Sequence, residues 1–178
     1  MAEPAYPVVA YQGGTVVAAL ELSKGSVKNV RILSGDKPFV EPAAAALRQW
    51  RFPADRTNPA LVIVNFRGPN LYSIGSSEHA VDAGAVPDSL PRPRRITEPA
   101  YPPNSLGQGS VILQLSLTRK GAIANSRVLK GASDLARACN EAVRTWKLDP
   151  PRKMPADAPA PEAFAVCVFR RPVLSSPR

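Results

Sequence analysis

At 178 residues, 44% hydrophobic and 21% charged, the chain sits near globular proportions, which argues against wholesale disorder. No window approaches about 18 consecutive apolar residues, so no helical membrane span is expected. The formal charge of +9 lies entirely in one half: residues 1–90 hold eight Lys/Arg and eight Asp/Glu, whereas residues 91–178 hold fifteen and six, a bias that suits a negatively charged partner or serves solubility alone.

The chain begins MAEPAYPVVAY, with an acid where a secretory signal would carry positive charge and no apolar core behind it. The expectation is a cytoplasmic chain, or one whose export segment is not part of this sequence. Val16, Ala18, Leu20 and Leu22 then alternate, marking a strand with one buried face. Ser23-Lys24-Gly25 is a polar turn, and Val27 to Leu33 completes an antiparallel hairpin. The period next changes to 3.6, with Phe39, Ala43, Ala46, Leu47 and Trp50 forming one helical stripe. Pro42 suits a first helical turn, so the helix is expected to begin near it. An apolar run, Ala60 to Phe66, closes the unit.

Residues 71–96 read as a Pro/Ser/Arg-containing linker. Many of the 20 prolines fall in Pro87 to Arg95 and in Asp149 to Glu162, where a missing N–H costs nothing in linker or loop. The one histidine, His79, lies in the first part of that linker and reads as an exposed bystander.

The first unit then recurs. Tyr6-Pro7 returns as Tyr101-Pro102 and Gly14 as Gly109, both 95 residues later. After one inserted residue in the hairpin turn the offset is 96, pairing Gly25 with Gly121, Arg31 with Arg127, Leu33 with Leu129, Gly35 with Gly131 and Trp50 with Trp146. Val111, Leu113, Leu115 and Leu117 mark one face of a strand. Ser110, Gln114 and Ser116 mark the other, with Ile112 an apolar exception there. The turn Arg119-Lys120-Gly121, a β run from Ala122 to Leu129 and a stripe of Leu135, Cys139, Ala142, Val143 and Trp146 follow, with Ser133 or Asp134 as N-cap. Ala163 to Phe169 is the closing strand. Both tryptophans read as core anchors, with ligand stacking as the alternative. Cys139 and Cys167 read as buried free thiols, with a bridge between helix and last strand as the alternative, since sequence does not give geometry.

The expected fold is α+β: two tandem two-layer modules, each a three-stranded antiparallel sheet packed by one helix in the order β-β-α-β. The modules span residues 1–70 and 97–178, joined by the linker 71–96. Catalytic residues are not expected. One histidine in a linker is a poor general base, and one histidine with two separated cysteines cannot form a four-ligand zinc site. Gly107 and Gly109 precede a strand, whereas a phosphate-cradling loop opens a helix. No cofactor and no metal are therefore implied.

The ordered set YP, GxV, G, a helix ending in W-[RK]-[FL], then a strand resembles the C-terminal domain of TonB and its relatives, over residues 4–67 and 97–171. That resemblance implies a non-enzymatic, periplasmic protein of the cell envelope. It also implies capture of an extended TonB-box-like segment, from an outer-membrane receptor or another envelope protein, by strand addition beside the last strand. TonB proper carries a membrane anchor helix and a long Pro-rich spacer. Neither pattern occurs in these residues, so peptide capture is expected without force transmission. The expected peptide-binding edge is Phe164, Ala165, Val166, Cys167, Val168, Phe169 and Arg170, with Arg170 and Arg171 available to acidic groups. Leu61 to Phe66 offers a second such edge or serves only as a platform, which its neutral charge and apolar character favour, or the two edges pair with each other and close both sites. The alternative function is a basic module for a polyanionic surface (envelope polymer, anionic lipid or nucleic acid) using Arg92, Arg94, Arg95, Arg119, Lys120, Arg152 and Lys153. Exposed aromatics for base stacking are missing among these charges.

Overall fold

Alternating apolar residues form the expected first hairpin from β1 (Gly14–Ser23) and β2 (Ser26–Gly35). Lys24 (φ 49°) and Gly25 (φ 73°) make its two-residue turn, with the left-handed backbone that matches strand twist. A Cβ on Gly25 would stand 2.4 Å from the Phe52 carbonyl oxygen, so only glycine fits beneath that chain. The helix α1 (Lys37–Arg48) begins earlier than expected: Pro38 occupies its first turn, while Pro42 lies inside, where its missing N–H removes one helical bond. Next come β3 (Ala60–Arg67), β4 (Glu78–Ala80), β5 (Arg92–Thr97), β6 (Gly109–Leu117), β7 (Ile123–Lys130), α2 (Ser133–Val143), β8 (Lys147–Asp149) and β9 (Glu162–Phe169). Ala132, not Ser133 or Asp134, caps α2; Asp134 instead sits in the first turn and accepts the Ser105 hydroxyl. This computed structural model describes residues 1–7, 10, 12–69 and 78–171. Residues 71–77 of the expected linker, and 172–178, lie outside the described residues.

The architecture is mixed α+β with one large sheet and two helices, in which the two expected three-stranded sheets are fused. The sheet has six strands in the order β2-β1-β3-β9-β6-β7. At its centre β3 and β9 run parallel, from Leu61 opposite Ala163 to Arg67 opposite Phe169. The reason is written in the two apolar runs. ALVIVNF and AFAVCVF do not alternate, because both of their faces are covered, the mark of strands buried within a sheet.

The two helices cover opposite faces. Phe39, Ala43, Leu47 and Trp50 pack on Val16, Ala18, Leu20, Val62, Val64 and Phe66. On the other face Leu135, Cys139, Val143 and Trp146 pack on Val111, Leu113, Leu115, Ala165 and Phe169. Ile112, the apolar exception on its face of β6, joins Phe164, Val166 and Val168 in the core under α1. A small sheet, β4-β5-β8, shares the α2 face, and with Ala83, Val86, Leu90 and Ile96 it covers Val17, Ala19, Leu61 and Ile63. The described part of the expected linker is thus built into the core and is not a bare connector. Both tryptophans are buried anchors. Trp50 Nε1 donates to the Ala2 carbonyl (2.8 Å) and Trp146 Nε1 to that of Thr97 (2.9 Å), acceptors 95 positions apart.

Cys139 and Cys167 are bonded to each other, not free, with Cα atoms 6.0 Å apart, tying α2 to β9. Closing a loop of this size stabilises by about 3–4 kcal/mol in the chain-entropy account. In the first set of elements the corresponding positions are Ala43 and Val64, held by packing alone.

Candidate functional site

The strand expected to offer a free edge is interior. β9 pairs with β3 on one side and with β6 on the other, so Phe164, Ala165, Val166, Cys167, Val168 and Phe169 have no open rim. All six are buried. Of the arrangements open from the sequence, the mutual pairing of the last strands is the one present. The basic residues beyond β9 are engaged as well. The Arg170 guanidinium stands 5.8 Å from the centre of the Tyr6 ring, and Arg171 donates to the Leu106 carbonyl (3.3 Å). Tyr6 in turn donates to the Gln12 carbonyl (2.9 Å). Burial, and next the Glu98 carboxylate, push its phenol up to about 12.

The central seam is fastened at both ends by an arginine from one half and a carboxylate from the other. Where β3 and β9 end, Arg67 donates to Glu98 at 2.7 Å with both side chains nearly buried (3% and 11% exposed). The same oxygen of Glu98 accepts the Gly68 N–H at 2.7 Å. Where the two strands begin, Arg56 meets Glu162 at 2.9 Å and lies over the rings of Phe52 and Phe164, 5.1 and 5.2 Å from their centres. Prolines, among them Pro53, Pro59, Pro155 and Pro161, line an open cleft of about 600 Å³ beside that pair.

Unpaired backbone therefore lies at the sheet's outer limits. β2 pairs with β1, and its far side makes one isolated bridge, between Ser26 and Arg51. β7 pairs with β6, and no strand lies on its far side among the described residues. Val128 and Leu129 of β7 are 44% and 37% exposed, whereas their counterparts Ile32 and Leu33 in β2 pack against the two cores. This exposure was not legible in the sequence, because the pairs Ile32-Leu33 and Val128-Leu129 look alike there.

Of the polar groups weighed as chemistry, His79 sits in β4 opposite Ile96. No group of three or more potential metal ligands occurs among the described residues. Nor is any helix among them long and apolar enough to cross a membrane.

Residues 97–162 match the family described as Gram-negative bacterial TonB protein C-terminal. That segment belongs to the TonB C-terminal domain family. The matched stretch runs from the end of β5 to the start of β9, so it carries the hairpin and α2 of the second half. No curated protein and no solved structure matches the chain. The TonB C-terminal membership points to a protein-interacting role in the cell envelope.

Proposed function

We propose that the chain is a non-enzymatic periplasmic binding protein made of two TonB C-terminal-like units in tandem. It captures an extended, TonB-box-like segment of an outer-membrane receptor or other envelope protein by strand addition. Capture takes place at an outer strand of the sheet, since the centre is closed. The observation that carries this reading is a six-stranded sheet whose end strands keep main-chain donors and acceptors without a full partner. An incoming strand satisfies those groups, while side-chain contacts on alternate residues supply selectivity. The Cys139–Cys167 bridge suits an oxidising compartment such as the periplasm.

The test is a titration of the isotopically labelled, oxidised protein with a TonB-box peptide, following backbone amides. Shifts along residues 26–35 or 123–130, with residues 60–67 and 163–169 unmoved, are the expected result. No shift at either outer strand with millimolar peptide refutes the proposal. A second reading, adhesion to a polyanionic surface, is favoured by the +9 carried entirely by residues 91–178. It predicts binding to an anionic polymer that collapses as salt rises, whereas strand addition loses little.

A further inference from the structure

Where β5 and β8 meet the loops beside them, the chain encloses a recess of about 50 Å³, with the buried Val86 and Leu90 in its lining. One water needs about 10–15 Å³, so this volume admits a group of a few heavy atoms and no sugar or base. Its two walls are fastened to each other. Lys153 donates its backbone N–H to the Asp88 carbonyl (3.0 Å) and its Nζ to the Asp88 carboxylate (2.9 Å), tying the chain after β8 to the loop before β5. Pro87 and Pro150 restrict both segments further.

Three arginines meet in this recess, Arg92 and Arg94 from β5 and Arg152 from the chain after β8. Two carboxylates, Asp88 and Asp149, share it, so the balance of charge decides what can enter. Asp149 is paired with Arg94, and Asp88 with Lys153. The Lys153 hydrogen bond holds the Asp88 carboxyl below its ordinary range, and the charges of Arg152 and Arg92 add to that effect. Asp82 accepts the Gly84 N–H (3.1 Å) and lines a different recess beside His79, and Glu78 of β4 is paired with Arg95. Arg92 and Arg152 are left over, neither in an ion pair among the described residues. Arg92 gives one of its five N–H groups to the Gly84 carbonyl, at 3.4 Å. The first half has no such surplus, because Arg56, at the position equivalent to Arg152, is engaged by Glu162.

We infer that this recess binds a phosphate group, free or as a lipid head group, between Arg92 and Arg152. Two unneutralised guanidinium groups match the charge of about −1.5 to −2 that a phosphate monoester carries near pH 7. Each planar guanidinium can also offer two parallel N–H groups to phosphate oxygens, a geometry that a lysine does not supply. The site gives the polyanion reading a defined location and rests on that reading. Strand addition at the outer strands does not depend on it.

The test uses the full, isotopically labelled, oxidised chain, with inorganic phosphate as one probe and vesicles of phosphatidylcholine and phosphatidic acid as the other. Phosphate is expected to shift amides within residues 86–94 and 149–153 to saturation. Arg92→Ala with Arg152→Ala should weaken that binding by about tenfold or more. Lys28→Ala with Lys37→Ala, which removes the same charge from exposed positions of the first half, should leave it unchanged. Unmoved amides at residues 60–67 and 163–169 show that the variants are folded. Capture by the vesicles, reversed by added phosphate, names the lipid head group as a source, whereas phosphate shifts without vesicle capture name a soluble phosphate. Equal weakening by both variant pairs means diffuse attraction and overturns the site. No shift with millimolar phosphate overturns it as well. Vesicle capture that persists in that case keeps the polyanion reading, and its absence ends both.

Discussion

β2 and β7 occupy equivalent places at opposite ends of one sheet, yet the side chains of β7 are the more exposed. β2 is flanked by the chain beyond α1: Phe52 N–H donates to the Gly25 carbonyl (2.8 Å), and Arg31 reaches the Ala85 carbonyl (3.2 Å). The chain beyond α2 passes the turn before β7 just as closely, a Cβ on Gly121 standing 2.3 Å from the Leu148 carbonyl oxygen, but Val128 and Leu129 stay exposed, and α2 is fastened to the sheet by the Cys139–Cys167 bridge where α1 relies on packing. The same order of elements can thus be kept shut by side-chain volume or held in place by a covalent tie with its rim exposed. The second arrangement leaves backbone available without giving up the helix.

Three experiments would break or sharpen that contrast. The largest effect is expected at the seam shared by both halves. Glu98→Ala removes a nearly buried ion-pair partner of Arg67 and should cost about 3–5 kcal/mol in denaturant unfolding, with both halves melting together. Two separate transitions in the unaltered protein would show instead that the halves are independent. Next is the bridge. Cys139→Ser with Cys167→Ser should lower stability by about 3–4 kcal/mol, and hydrogen exchange should rise first in α2 and not in α1. The smallest effect is the most direct comparison of the two edges. Ile32→Ala should cost about 1–2 kcal/mol because Ile32 packs against the α1 core, whereas exposed Val128→Ala should stay within about 0.5 kcal/mol. Equal costs would mean that β7 is covered after all.

Much of this architecture is legible in the chain. The alternation of Val111 to Leu117 and the 3.6-residue stripes through Trp50 and Trp146 set hairpins, helices and their buried faces, because each burial pattern has its own period. Those stripes pack as their spacing implies. The seam was readable but under-read. An edge strand with one wet face should alternate, while AFAVCVF is apolar throughout and ALVIVNF apolar but for Asn65, and Ile112 was a further sign of a second covered face. Other features leave no local trace. β5 reads RPRRIT, whose proline and charges argue for a loop; it forms a strand because Ile96 and Pro93 are buried over the sheet and tertiary packing outweighs propensity. The pairing of Cys139 with Cys167 depends on a distance that spacing cannot supply. The candidate docking edge was the least visible part, since the difference between Ile32-Leu33 and Val128-Leu129 lies in their neighbours and not in themselves.

Backbone hydrogen exchange on the oxidised protein, without any ligand, tests the central assignment most directly. If β3 and β9 form the middle of one sheet, the amides of residues 61–67 and 163–169 are the slowest in the chain, and alternate amides of residues 123–130 exchange rapidly. Fast exchange along alternate positions of 163–169, with protection along the whole of 123–130, would place the open edge at β9 and contradict the account.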